Sequence, residues 1–271
     1  MANLGIIGYG IVGKAVEHIF KNNNLLYYDK YINSTPLKEV VEKSEFIFIC
    51  LPTPFKNDKI DLSIIDENLK EITKFTNNTD KIIILKSTII PGTTRNYSKL
   101  YPKSKFCFSP EFLREVHYLY DAVNPDRIII GADDLTIRKR VFDLFKDRFP
   151  NIQIFETDPT TAETVKYMAN CFLATKVIFA NEIFDLCKKL NINYEDVKKM
   201  VIIDKRMGSS HFDVTKELGF GGKCFAKDIV ALIGLYKDLN VDSTLLETVW
   251  KKNLKIRKIK DWEDIPFVKS D

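Results

Sequence analysis

The chain has 271 residues, 45% hydrophobic and 29% charged, with a formal net charge of +4 from 41 Lys and Arg against 37 Asp and Glu. That balance carries no mandate for a nucleic-acid partner, and the basic residues are scattered apart from a run over 251–260, read as the solvated end of a helix. Five cysteines with no CxxC and no zinc spacing assign no metal, and no apolar run is long enough to span a bilayer, so the expectation is a cytoplasmic protein without membrane contact.

The length suits two domains better than one core. The chain opens with an apolar strand over 4–7, then Gly8-Tyr9-Gly10-Ile11-Val12-Gly13 and an amphipathic helix to 20. In this pattern Gly8 makes the tight turn, Gly10 lets backbone approach a pyrophosphate, and Gly13 allows helix and strand to pack closely. A second strand over 25–28 ends at Asp29, about twenty residues on, where a carboxylate accepts from a ribose diol and repels a 2′-phosphate. A dinucleotide site that prefers NAD to NADP follows from these residues.

Strands over 46–51, 81–85, 106–108, 127–131 and 153–156 alternate with helices over 64–75, 135–149 and one starting at 91–94. Alternation of this kind predicts an α/β fold, a Rossmann-type doubly wound parallel sheet, over residues 1–157. Thr53, Thr88 and Glu111 each follow a strand and would share one carboxyl rim; each alone reads more often as a cap or turn former, and it is their common location that points to a site. From 159 to about 190 there is one helical pattern without Gly or Pro, and the region 158–250 reads as all-helical, followed by a tail over 251–271. Within it Glu163, Lys166 and Asn170 form a polar stripe on a mainly apolar helix, which suggests a site; a solvated surface lysine is the bland alternative. Residues 218–228 combine Gly219, Gly221 and Gly222 with Cys224, Lys223, Lys227 and Asp228. If a helix begins near Cys224, its thiol sits at the positive end beside a ligand cradle, with Asp228 on the same face. A glycine turn before a buried cysteine is the competing reading, and Cys50, Cys107, Cys171 and Cys187 read as core.

The motifs GYGIVG (8–13), LPTP (51–54), KSTIIPGTT (86–94), SPEFLRE (109–115), NPDRIIIG (124–131), the helix 162–182, RMGSS (206–210) and GFGGKCFAKD (219–228) together resemble the UDP-glucose/GDP-mannose dehydrogenase family. The resemblance implies a four-electron oxidation of a nucleotide-sugar C6 alcohol, UDP-glucose to UDP-glucuronate foremost, with NAD as cofactor and Cys224 as nucleophile through a thiohemiacetal and a thioester. It implies Lys166 and Asn170 as oxyanion stabilisers, Glu111 as base or water-positioning group, and Asp228 as orienting group. It places Tyr9, Ile11, Val12, Thr53, Thr88, Glu115 and Lys227 with the glycines and Asp29 near the cofactor, and Phe112, Leu113, Phe220, Gly221 and Arg206 at the substrate. Arg206 would reach the site of the partner in a homodimer formed through the helical domain. Val116 and Ala226 depart from the family's usual glycine and proline, and the family's third, nucleotide-covering domain has no counterpart in this sequence. A two-electron hydroxyacid-type dehydrogenase and a non-catalytic NAD-binding dimeric module completed by another chain are the alternative functions.

Overall fold

The computed structural model describes residues 1–56, 59–222 and 224–263. Lys223 and the tail beyond 263 lie outside the described residues. The chain divides into two compact units, Met1–Thr53 with Asp61–Lys166, and Pro54–Ile60 with Tyr167–Asp271.

The first unit runs β1 (Asn3–Ile7), α1 (Ile11–Ile19), β2 (Asn24–Tyr28), α2 (Leu37–Lys43) and β3 (Phe46–Ile49). A short hairpin, β4 (Phe55–Lys56) and β5 (Lys59–Ile60), belongs to the second unit. The first unit resumes with α3 (Ser63–Thr76), β6 (Ile82–Leu85), α4 (Thr93–Leu100), β7 (Lys105–Phe108), a 3-10 turn (Glu115–His117), α5 (Tyr118–Val123), β8 (Ile128–Gly131), α6 (Leu135–Arg148) and β9 (Ile154–Thr157). The seven-stranded sheet has the order β2-β1-β3-β6-β7-β8-β9. Strands β3 and β6, Phe-Ile-Phe-Ile and Ile-Ile-Ile-Leu, are buried at every position, as strands covered on both faces require. One face carries Val16 of α1 and Phe20 just after it, with Val141 and Phe145 of α6. The other carries Val40 of α2, Leu69 and Ile72 of α3 and Tyr97 of α4. Because β2 and β3 flank β1 on opposite sides, the strand order reverses there, and the 8–13 turn sits at that switch point.

The α/β doubly wound reading holds, with one correction to a fully parallel sheet. β8 runs against β7 and meets it at the single pair Phe108–Gly131, whereas β8 and β9 are parallel to each other. The excursion over 109–127 therefore brings the chain back into the sheet in the opposite sense. It includes the 3-10 turn and α5, which packs against α1, two elements the sequence pattern did not predict.

The second unit is built from α7 (Pro159–Leu190) beyond Lys166, α8 (Tyr194–Ile202), α9 (Phe225–Asp238) and α10 (Thr244–Ile256). Cys171, Ala174 and Ile178 of α7 pack with Ile229, Val230 and Ile233 of α9, Val249 of α10 and Trp262. A smaller cluster joins Ala180 and Cys187 to Tyr194 and Phe212. Among the described residues no helix is long and apolar enough to cross a membrane.

Candidate active site

In the first unit the 8–13 turn has the geometry its glycines suggest. Gly8 has φ +92, and a Cβ there would stand 2.7 Å from the Cys50 carbonyl oxygen. A Cβ on Gly13 would overlap the Gly8 carbonyl, so α1 rests directly on the turn. At Gly10, the N-cap of α1, the space is open: a Cβ would meet nothing within 4 Å. No side chain caps α1 and its first turn has no acidic residue, so its terminal N–H groups are available to an anion. Asp29 accepts from the Tyr9 N–H at 2.8 Å and from the Tyr31 N–H at 2.9 Å, which sets its carboxylate against the turn. Tyr9 stacks on Tyr27 with ring centroids 4.0 Å apart and donates its hydroxyl to Glu17; Ile11 is exposed and Val12 half-buried. The open Gly10 with its uncapped helix end fits a dinucleotide pyrophosphate.

Farther along the same rim, the buried Thr53 hydroxyl donates to the Thr88 carbonyl at 2.9 Å, and Ser87 donates to Leu51 at 2.7 Å. These bonds tie the loops after β3 and β6 together.

Glu111 follows β7 and is held from several directions. Lys166, buried on α7, donates to the Glu111 carboxylate at 3.0 Å and to its main-chain carbonyl at 2.6 Å. The Leu113 N–H reaches the other carboxylate oxygen at 2.7 Å. Burial would raise the Glu111 pKa, but the Lys166 ammonium, the Leu113 N–H and the nearby Lys86 together pull it below the usual carboxylate range. Phe112 lies under the Arg127 guanidinium at 4.2 Å and the Lys166 ammonium at 5.4 Å. Glu115 is exposed in the 3-10 turn. The reading of Lys166 as a solvated lysine is overturned by its burial.

The polar stripe on α7 serves three different ends. Glu163, fully buried, accepts from the N–H groups of Gly92 and Thr94 at 2.6 and 2.8 Å and from the Thr94 hydroxyl at 2.5 Å. It is the N-terminal cap of α4, whose own N-cap is a glycine with φ +99. Lys166 serves Glu111. Asn170, in the second unit, donates to the buried Asp228 at 2.5 Å.

Cys224 is the N-cap of α9 and is exposed, whereas the other four cysteines are buried. The Asp228 N–H donates to the Cys224 carbonyl at 2.9 Å, so the two residues occupy successive turns. The Lys227 ammonium stands 3.3 Å from the second Asp228 oxygen. Burial, with Asp228 adding to it, pushes the neighbouring Cys171 thiol far up, leaving it inert at neutral pH. Arg206 is exposed and paired with Asp204 at 2.6 Å. The Phe220 ring is buried against Phe225 and Trp250, and its main chain is bonded both ways to Asn253, at 2.8 and 3.1 Å.

Residues 14–148 match the NAD-binding domain of the UDP-glucose/GDP-mannose dehydrogenase family, and residues 160–255 match its central domain. The chain belongs to that family. It is 36% identical over 256 residues to the UDP-glucose 6-dehydrogenase of Rickettsia bellii, covering 89% of this chain and 58% of that protein. It is 33% identical over 252 residues to the UDP-glucose 6-dehydrogenase of Campylobacter jejuni, covering 92% and 61%. Among solved structures, a UDP-glucose dehydrogenase from Pyrobaculum islandicum superposes with a TM-score of 0.84 at 29% identity, covering 94% of this chain and 68% of that one. The chain thus spans about three fifths of the length of these curated relatives. The family's cofactor is NAD, in agreement with the open turn at Gly10 and the placement of Asp29.

Two groups that sequence reasoning did not single out belong beside these residues. Lys86, at the end of β6, is buried and donates to the Pro110 carbonyl at 3.1 Å; burial lowers its pKa to about 8. Asn253 is fully buried on α10. Its signal is an amide four residues after Val249 and three before Ile256, on the apolar stripe of an amphipathic helix.

Proposed function

We propose that the chain carries the NAD-dependent four-electron oxidation of a nucleotide-sugar C6 alcohol to the carboxylate, with UDP-glucose as the foremost substrate. The observation that carries this reading is Cys224: an exposed thiol at a helix N-terminus, followed one turn later by a buried Asp228 bonded to Asn170. A two-electron hydroxyacid-type oxidation would have no use for that thiol.

The reaction consumes an alcohol, water and two NAD+, and yields a carboxylate, two NADH and three protons. The residues at the first glycine turn, with Asp29, hold the dinucleotide; bound NAD+ supplies the hydride acceptor for both oxidations. Cys224 adds as thiolate to the aldehyde carbon, giving a thiohemiacetal, and the second oxidation converts this to a thioester. Water attacks the thioester carbonyl, the C–S bond breaks, and the acid leaves with the thiol restored. Lys166 and the Asn170 amide are the donors suited to oxygen bearing developing negative charge. Glu111, ionised through its lysine neighbours, accepts a proton from water or orients it. Asp228 fixes the Asn170 amide, and Phe112, Leu113, Phe220, Gly221 and Arg206 are assigned to the sugar nucleotide.

Self-association is part of the proposal. Met168, Phe172, Phe179, Leu186 and Leu190 are exposed along one side of α7, an apolar stripe of the kind a second copy would cover. Arg206 would then serve the partner's site.

The test is to count NADH per sugar with UDP-glucose, GDP-mannose and related nucleotide sugars. Two NADH per sugar is the expected result, and one NADH would replace this reading with the two-electron alternative. In Cys224→Ser, NAD affinity should be unchanged and turnover lost, because a serine alkoxide is not available at neutral pH. Tight NAD binding with no turnover on any nucleotide sugar would favour a non-catalytic module.

A further inference from the structure

The turn before Cys224 is held in an unfavourable conformation. Leu218, Gly219 and Gly222 have φ of +57, +54 and +75. A leucine in the left-handed region costs about 1 kcal/mol and persists only where its surroundings impose it. The surroundings here come largely from α10 and the residues just after it. Arg257 donates to the Leu218 carbonyl at 3.1 Å, and its other terminal nitrogen lies 3.1 Å from Asp261 Oδ2. Asp261 Oδ1 in turn accepts from the Gly222 N–H at 3.1 Å. One ion pair thus holds both ends of a five-residue turn. A Cβ on Gly221 would overlap both the Arg257 guanidinium and the Asp261 carboxylate, so glycine there admits the clamp itself. Trp262, buried against Trp250 at 5.3 Å, anchors the segment that bears Asp261.

We infer that Arg257 and Asp261 are positioning residues for the Cys224 nucleophile. Gly222 is two residues before Cys224, and the thiol benefits from the N–H groups of α9 only while it is kept at that helix end. The clamp fixes the turn, and the turn fixes the thiol. Among the described residues, the charged and titratable groups on the flanking elements include Lys227 and Asp228 of α9, the clamp pair itself, Glu217 and Lys258, joined through their main chains at 3.2 Å, and His211, whose ring lies 5.6 Å from that of Phe225. The inference rests on the proposed role of Cys224 for its effect on turnover, but the clamp can be tested without turnover.

The experiment measures the pH dependence of Cys224 alkylation by iodoacetamide in the full chain, followed by peptide mass spectrometry, in Arg257→Met and Asp261→Ala. If the two residues acted only through their charges, losing the cation would raise the pH midpoint and losing the anion would lower it. A clamp requires the midpoint to rise in both, with alkylation at pH 7 slowed about threefold to fivefold. Should Arg257→Met fail to fold, Gly221→Ala takes its place, since it displaces the pair without changing any charge. A midpoint that rises in both variants supports the clamp. No movement, movement in one variant alone, or movement in opposite directions overturns it. NADH counting on the parent chain reports separately on the functional reading, so the two can fail independently.

Discussion

The two glycine-rich turns of this chain share a composition and differ in what lies above them. Over Gly10 there is open space, bounded by the uncapped end of α1. Over Gly221 lie Arg257 and Asp261, and Asn253 occupies both polar groups of the adjacent Phe220 main chain. In the first turn glycine makes room for a ligand. In the second it makes room for the protein's own side chains, and whatever binds there meets a turn already braced from behind. A glycine cluster in a sequence therefore announces close approach, but not of what.

Substitutions should separate the two uses. The largest effect is expected at Gly13→Ala, where the new methyl overlaps the Gly8 carbonyl and helix and strand must part. A loss of about 3 kcal/mol or more in unfolding free energy is expected, with NAD binding abolished, measured by denaturant titration and calorimetry. Asn253→Ala should come next, because it leaves the Phe220 N–H and carbonyl buried without partners. It should cost about 2–4 kcal/mol and leave NAD binding intact. The smallest effect on stability belongs to Gly10→Ala, within about 0.5 kcal/mol of the parent because nothing is crowded. NAD affinity should nevertheless fall about tenfold, ~1.4 kcal/mol, as the methyl fills the space a pyrophosphate needs. Should Gly10→Ala bind NAD normally, the contrast between an open and a covered turn would lose its meaning.

Much of this arrangement was legible in the sequence because it rests on periodicity and on residues with one dominant use. The buried strands read as continuous apolar runs, and Gly8, Gly10 and Gly13 are spaced for one turn. The sequence pattern placed a helix over 228–239 and left a start near Cys224 as a condition; α9 begins at Phe225, with Cys224 as its N-cap. What was not legible depended on partners distant in the chain. Spacing put Glu163, Lys166 and Asn170 on one face, but only the folded chain shows that Glu163 caps α4 while Lys166 meets Glu111. The direction of β8 was hidden for the same reason, since an apolar run such as Ile-Ile-Ile-Gly reads alike in either orientation. Lys86 stood in a quoted motif, yet nothing local marks a lysine as buried.

That reversed strand has a thermal consequence. Neighbouring parallel strands in the centre of the sheet share four paired positions, whereas β7 and β8 share one. Across this seam the sheet is joined chiefly by side chains, with Ile128 and Ile130 packed in the same cluster as Phe48 and Cys107. Hydrophobic cohesion weakens on cooling while main-chain hydrogen bonds do not. The β8–α6–β9 lobe should therefore loosen first in the cold, with its amides exchanging with solvent before those of β1, β3 and β6.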